Sequence, residues 1–316
     1  MSGNPEEART LFIVENGLNT CYIDALLMSL FYKPSIYLEG LLISEPRDPS
    51  FMYLQDIMKV KFVDQVRRNV SVTADVMNEI RIYANVCGWK ADCDPDELFE
   101  QQDVNEFYTF LLDVVNTPLI EIQRQTISEA LVDKLDTGSI ERIPFISLAV
   151  PELGAGRDVS LKELLNSWMH NNMVDVNREV FDERGNKKTE SVKALNVYKI
   201  MNVPTFIGIS LNRFPCPGTR IDTPIDIQKK IKLHHVSESE SDDGLRWSIH
   251  ALICHRGETA KRGHYYAVLV SSDSHWLLFD DQAIPCMREI DIKNSEISET
   301  VKREIVFAIY CYDETS

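Results

Sequence analysis

The chain has 316 residues, 44% hydrophobic and 26% charged, a globular composition long enough for one large domain or two ordinary ones. Thirty-three basic against forty-nine acidic residues leave a net charge of −16, which argues against nucleic acid as a ligand and favours a partner with a basic face. The seven cysteines, Cys21, Cys87, Cys93, Cys216, Cys254, Cys286 and Cys311, are scattered and never spaced C-x-x-C, so no disulfide framework or zinc ribbon is written and a reducing compartment fits best. The N-terminal MSGNPEEART carries glutamates where a signal peptide needs a basic and then an apolar run. No stretch approaches the ~18 apolar residues of a membrane span, and the C-terminal DETS offers no lipidation box.

In chain order, the first strong signal is ENGLNTCYIDALLMSLF, Glu15 to Phe31. Ile23, Leu26, Leu27 and Leu30 fall at i, i+3, i+4 and i+7, which predicts an amphipathic helix with Thr20 or Asn19 as its cap. Cys21, at the helix start, would meet unpaired N–H groups and the positive end of the helix dipole, which lower a thiol pKa. A small cysteine there is equally an ordinary core residue, and position alone does not separate the two. A second helix begins after Asp103, with Val104, Phe107, Tyr108 and Leu111 at helical spacing. Asp103 and Glu106 read as a capping box, and with Asp113 they make one face of that helix acidic.

After about Pro144 the grammar changes to short β-branched and aromatic runs: FISLAV, VYKIM, TFIGISLNRF, WSIHALICH, YYAVLV, WLLFDD and IVFAIYCY. These predict a mostly antiparallel sheet, interrupted by one helix from about Ser160 to Met169. DERGNKKTE, Asp182 to Glu190, reads as a hairpin tip, and SESESDDG, Ser237 to Gly244, as a solvated acidic loop.

A thiol nucleophile needs a base, an acceptor that orients the base, and donors for an oxyanion. ICHRGETAKRGHYYAVLV places His264 after a polar Gly-containing loop at the entry to a strand, where it is the candidate base. Six of the seven histidines lie between His234 and His275, so a plain sheet-edge histidine is the alternative. Two strands joined by SSDSH would lie side by side and bring Asp280, at the end of WLLFD, back toward His264. A serine hydrolase is poorly supported, since GISLN lacks the second glycine of a nucleophile elbow, and there is no His-Glu-x-x-His helix for a metal hydrolase.

Four separated stretches, in order, resemble the ubiquitin-specific proteases, which are papain-like cysteine hydrolases. NTCYIDALLMSLF is similar to their cysteine box, LFEQQDVNEFYTFLLD to their Gln-Gln-Asp helix, VPTFIGISLNRF to their Leu-Lys-Arg-Phe strand, and HRGETAKRGHYYAVLV followed by WLLFDD to their histidine box. The resemblance implies an α+β, papain-like catalytic domain over residues 1–316. It has a helical thumb (1–125), an antiparallel β palm (126–176 and 199–316) and short β fingers (177–198). Cys21 would be the nucleophile, His264 the base and then acid, Asp280 the group holding the imidazole tautomer, and Asp281 a substrate-side neighbour. Asn16 occupies the oxyanion-donor offset, with Asn19 as an alternative donor or a cap. Asp103 and Glu106 match carboxylates that engage arginines of the ubiquitin tail.

Two features depart from the common pattern. Leu18 fills the slot usually held by glycine, with Gly17 one residue earlier, and Asp24 resembles the cylindromatosis-type branch more than the common Asn. No cysteine lies between Cys93 and Cys216, so the four-cysteine zinc ribbon often found in the fingers is expected to be absent, and His170 there to be a surface or interface residue. SESESDDG and RGETAKR match loops that border the cleft. The expectation is a cytoplasmic or nuclear deubiquitinase, monomeric and cofactor-free, acting on ubiquitin and ubiquitinated proteins, with no nucleic acid or membrane partner. A protease for another ubiquitin-like modifier and a catalytically inactive ubiquitin-binding module are the alternatives.

Overall fold

The computed structural model describes residues 12–128, 136–154, 156–170, 172–181, 184–216, 218–233, 245–272 and 275–313. The acidic loop from Ser237 to Gly244 lies outside them. In chain order the elements are α1 (Cys21–Phe31), α2 (Gly40–Ile43), α3 (Met52–Ile57), a π-helical turn (Met58–Val63), α4 (Asp64–Arg67), α5 (Ala74–Val86) and α6 (Val104–Val114). There follow β1 (Ile120–Ser128), β2 (Asp136–Ile143), β3 (Ile146–Ala149), β4 (Val159–Ser160), α7 (Leu161–His170), β5 (Asn172–Phe181), β6 (Lys187–Ile200), β7 (Phe206–Asn212), β8 (Ile225–Asp226) and β9 (Lys230–Leu233). The last part holds β10 (Leu245–Thr259), β11 (Arg262–Val270), β12 (Trp276–Phe279), β13 (Met287–Ile290), α8 (Ser295–Glu304) and β14 (Ile305–Tyr312). The fold is α+β, with antiparallel hairpins. Among the described residues no helix is long and apolar enough to cross a membrane.

Contacts group the chain into two compact units: Met1–Thr117 with Cys216–Arg220 and His250–Phe307, and Pro118–Pro215 with Ile221–Ile249 and Ala308–Ser316. In the first, α1 is buried along its whole length. The periodicity predicts an amphipathic helix, but CYIDALLMSLF has few polar positions, and a helix that is apolar nearly all round belongs in the interior. It packs against β11 and α6. Tyr22 meets the edge of Phe107 at 5.6 Å, and Phe107 packs on Trp89 at 5.2 Å and Phe110 at 5.8 Å. Strand β11 pairs antiparallel with β10 and β12, and β12 with β13. Helix α8 is absent from the sequence reading because SEISETVKRE buries only Val301; it is started by Asn294, which accepts the Glu296 and Ile297 N–H groups.

The second unit holds a four-stranded sheet in the order β2-β1-β6-β5. The hairpin β5–β6 closes at Phe181↔Lys187, and Gly185 in its turn has φ +79°, the left-handed value that the Arg-Gly-Asn turn chemistry anticipates. Strand structure starts at Ile120, before the expected change near Pro144, because the apolar alternation of β1 stops after Ile120 and Ile122 and the strand continues as the polar Gln123, Arg124, Gln125 and Thr126. Beside this sheet, Trp168 of α7 stacks on Tyr198 of β6 at 5.0 Å. Strand β3 runs parallel to β7. After β7, the fully buried Arg213 donates to the carbonyls of Ile221 at 2.9 Å and Thr223 at 2.8 Å.

The ring of Phe107 is the centre of the aromatic cluster behind α1. Phe107→Ala is expected to lower unfolding free energy by about 3–5 kcal/mol, read as a reduced urea midpoint at unchanged slope.

Candidate active site

The chain enters α1 through a strained turn. Leu18 and Asn19 have φ 68° and 62°, in the left-handed region that costs an L-residue about 1–2 kcal/mol. Gly17 lies so close to α5 that a Cβ on it would stand 3.0 Å from Ala74 O and 3.1 Å from Asn78 N. Arg81, wholly buried on α5, grips this turn: Nη1 donates to Leu18 O at 2.6 Å, and Nη2 to Gly17 O at 2.9 Å and Asn78 Oδ1 at 2.6 Å. Its guanidinium lies 4.5 Å from the Phe99 ring centre. Hydrogen bonds from a cation, worth about 1.5–3 kcal/mol each, suffice to hold two left-handed residues in place.

Thr20 stands at the N-cap of α1, but its hydroxyl does not take a helix N–H. It accepts from Gly17 N at 2.7 Å and donates to Asp24 Oδ2 at 2.8 Å. Asn19 donates to Phe99 O at 3.1 Å, so neither of the two expected cap side chains caps the helix.

Cys21 is buried, 3% exposed, with its sulfur at the backbone N–H of Tyr265. Position at a helix start leaves a lowered thiol pKa and an ordinary buried core thiol both open; the structure favours burial. Burial pushes the thiol up to about 12, and the charges of Asp281 and Asp24 add to the rise, outweighing the N–H groups of Tyr265 and Tyr22. The resting residue is a protonated thiol.

His264 is the third residue of β11, one before Tyr265. Gly263 brings it there at φ 148°, where a Cβ would lie 2.0 Å from Arg256 O. The His264 ring puts Nε2 2.7 Å from Asp280 Oδ1 and 3.5 Å from Asp281 Oδ1. The last paired residues of β11 and β12 are Ala267↔Phe279, so Asp280 follows on the face that carries His264. Burial opposes ionisation of Asp280, but the bond and charge of His264, the Gln282 N–H and Arg256 prevail and hold it below the ordinary carboxylate value. Nε2–H therefore donates to Asp280, and the buried Nδ1 has no hydrogen-bond partner among the described residues; in a neutral ring it is the acceptor.

Asn16 joins the same network. Its Nδ2 donates to Asp281 Oδ2 at 2.6 Å, and its Oδ1 accepts from Thr20 N at 3.4 Å. Asp24 is fully buried on the first turn of α1, and its carboxyl is a hydrogen-bond neighbour of Asp281. Burial, then the charge and hydrogen bond of Asp281, raise Asp24 well above the ordinary carboxyl range, against Thr20 and Arg81.

Two further acids sit at the start of α6. Asp103 caps the helix, accepting from Asn105 N at 2.7 Å, and burial raises its pKa. Glu106 does not close a capping box; it accepts from Lys90 Nζ at 2.5 Å, while Asp113 pairs with Arg47 at 2.6 Å. The acidic face read from the sequence is thus partly covered by the chain's own cations. Just before α6, Gln101 Nε2 lies 3.1 Å from His255 Nε2 and 3.3 Å from Ala260 O, the carbonyl that also accepts from Tyr265 at 2.8 Å. Burial, Arg220 and His264 push His255 down to about 3, so its ring is neutral. Gln101 and His255 thereby brace the loop that leads into His264.

Sequence alone assigns no role to Arg81, nor to Gln101 and His255, although the last two lie within the motif stretches quoted above. Arg81 left one signal: it falls on the apolar stripe Met77, Ile80, Arg81, Ala84, where a lone arginine must find buried acceptors. Among the described residues, His264, Asp280 and Asp281 are the one group of three or more His/Cys/Asp/Glu side chains with potential ligand atoms within 4.8 Å of one another. The 2.7 Å contact between ring and carboxylate is a direct hydrogen bond, which suits a base and its orienting acid.

Residues 14–303 match the protein family described as ubiquitin carboxyl-terminal hydrolase. The chain is similar to ubiquitin carboxyl-terminal hydrolase 25 of Arabidopsis thaliana, 22% identical over 300 residues that cover 84% of this chain and 43% of that protein. It is similar to ubiquitin carboxyl-terminal hydrolase 36 of Drosophila ananassae, 20% identical over 85% of this chain and 26% of that protein. It thus spans less than half the length of these curated relatives. A solved structure of the SAGA Ubp8/Sgf11/Sus1/Sgf73 DUB module bound to ubiquitin aldehyde matches the whole chain, at 72% of the solved chain, with TM-score 0.66 and 17% identity, and so shares its fold.

Leu18 is exposed and left-handed. Leu18→Gly is therefore expected to raise stability by about 0.5–1 kcal/mol, seen as a higher thermal midpoint, since relief of backbone strain exceeds the added chain entropy.

Proposed function

Because the chain belongs to the ubiquitin carboxyl-terminal hydrolase family, we propose that it is a thiol-dependent deubiquitinase that cleaves the isopeptide or peptide bond after the C-terminal glycine of ubiquitin. One observation carries this reading: His264 is oriented by Asp280 at 2.7 Å with Nδ1 free to accept, one residue before the N–H that meets the Cys21 sulfur.

In the proposed reaction, the Cys21 sulfur bonds to the carbonyl carbon of the terminal glycine as its proton passes to His264 Nδ1. The oxyanion accepts from the Cys21 backbone N–H and from Asn16 Nδ2, whose other hydrogen stays on Asp281 at 2.6 Å. Asn16 is preferred to Asn19, which is bonded to Phe99. Collapse of the adduct breaks the C–N bond, and Nδ1 returns the proton to the leaving amine. Water, deprotonated by the same nitrogen, then cleaves the thioester. No step calls for a cofactor, and one copy of the chain carries every group named.

Since the free thiol is pushed up to about 12, helix-end activation does not supply the nucleophile; proton transfer to His264 does, and substrate must favour it. Asp103 and Glu106 fit a role in holding the basic tail of ubiquitin, with Lys90 leaving Glu106 as an arginine arrives. The helices before residue 117 suit the thumb, and the hairpin β5–β6 suits the short fingers.

Intact-mass analysis with a ubiquitin bearing a C-terminal propargyl group tests the reading. One adduct is expected on the parent, none on Cys21→Ala, and formation about 10²–10⁴-fold slower on His264→Ala. A folded parent that stays unlabelled overturns it in favour of a binding module; labelling only by another modifier's probe moves the substrate to that modifier. With iodoacetamide at neutral pH, peptide mapping should find the exposed Cys216 modified before the buried, protonated Cys21.

A further inference from the structure

Two carboxyl oxygens beside the active thiol have no donor: Asp24 Oδ1 and Asp281 Oδ1 are both buried and without a hydrogen-bond partner among the described residues. The remaining oxygens are well served. Asp24 Oδ2 accepts from Thr20 at 2.8 Å, and Asp281 Oδ2 from Asn16 at 2.6 Å. His264 Nε2, at 3.5 Å from Asp281 Oδ1, already has its hydrogen on Asp280. The two carboxyls are hydrogen-bond neighbours, and two carboxylates in contact cannot both be charged in the interior. One proton between the two orphaned oxygens satisfies both.

We infer that Asp24 is a positioning residue: as a neutral acid it donates the hydrogen on Oδ1 to Asp281 Oδ1, and so fixes the carboxylate that holds Asn16 and stands beside His264. Asp24 is the member of the pair that keeps the proton, because it is wholly buried and its neighbour's carboxyl opposes its ionisation. The groups facing Asp24 are Asp281 after β12, Arg81 from α5, and Thr20, Cys21 and Tyr22 on its own turn. Arg81 alone favours ionisation of Asp24 by its charge, and its guanidinium is committed to the carbonyls of Gly17 and Leu18. The proton serves twice: it fixes the Asn16 amide through Asp281, and it removes one of the two negative charges that would oppose a thiolate on Cys21. The role rests on the hydrolase reading above.

The folded state binds this proton more tightly than the unfolded chain does, so stability falls as pH rises from the ordinary carboxyl value of 3.8 toward the raised one. An amide at this position presents the same donor and acceptor without titrating. The test compares the parent with Asp24→Asn and Asp24→Ala. It measures rates of labelling by the ubiquitin propargyl probe, and urea unfolding, from mildly acidic to mildly alkaline buffer. Asp24→Asn should label at a rate that no longer declines on the alkaline side, and should lose the parent's fall in stability with pH. Asp24→Ala should label about 10–100-fold more slowly at every pH, the size of leaving one buried acceptor unpaired. Labelling of Asp24→Ala at the parental rate, or pH dependences of Asp24→Asn that match the parent, would overturn the inference. A parent that never labels instead sinks the hydrolase reading, and the pH dependence of unfolding still decides whether the proton is shared.

Discussion

Helix α1 and strand β11 are pinned to each other at two points. Near the helix start, the Cys21 sulfur meets the Tyr265 N–H; past its end, Tyr32 and Lys33 both donate to Val270 O. The spans match: eleven steps of helix rise about 16 Å, and five steps of strand cover about 16 Å. A thiol and an imidazole far apart in sequence can therefore be held in one place without a metal or a disulfide. The next strand completes the arrangement, because a slip of one residue between β11 and β12 would send Asp280 to the face away from His264.

This framework sets a thiol among acids, which is electrostatically adverse. Asp24, Asp280 and Asp281 all lie near Cys21 or His264. Each is disarmed differently: Asp280 by the ring it orients and by Arg256, Asp281 by the Asn16 amide, Asp24 by Thr20 and its neighbour's lone pair. The cost is a thiol that stays protonated at rest. In the proposed reaction, an acid cluster that orients the base so firmly also keeps the nucleophile switched off until a substrate carbonyl arrives to take up the charge.

Much of this was legible in the sequence where one residue type has one dominant use. The spacing of Ile23, Leu26, Leu27 and Leu30 marks α1, and the glycine-containing approach to His264 followed by WLLFDD marks the histidine and the carboxylate that the fold brings to it. The hairpin turn at Gly185 was readable for the same reason. What stayed hidden depends on partners distant in sequence. Asp24 reads as an ordinary first-turn acid until Asp281 is folded onto it, and Glu106 reads as a cap until Lys90 claims it. Strand β1 and helix α8 were missed because a two-sided polar strand and a helix with one buried side chain leave little periodicity to detect. Cys21 is the sharpest case: local position leaves a thiolate and a buried core thiol both open, and burial beside two carboxyls, a tertiary property, favours the protonated form.

The same burial bears on chemistry other than peptide cleavage. Peroxide oxidises a sulfur through its anion, and a site that keeps the hydrogen on Cys21 at 3% exposure offers that reagent neither charge nor access. On the proposed mechanism, the protein between turnovers should therefore ride out oxidising episodes that convert exposed low-pKa cysteines to sulfenic acid. Its vulnerable moment is confined to the interval in which substrate has already drawn the proton away.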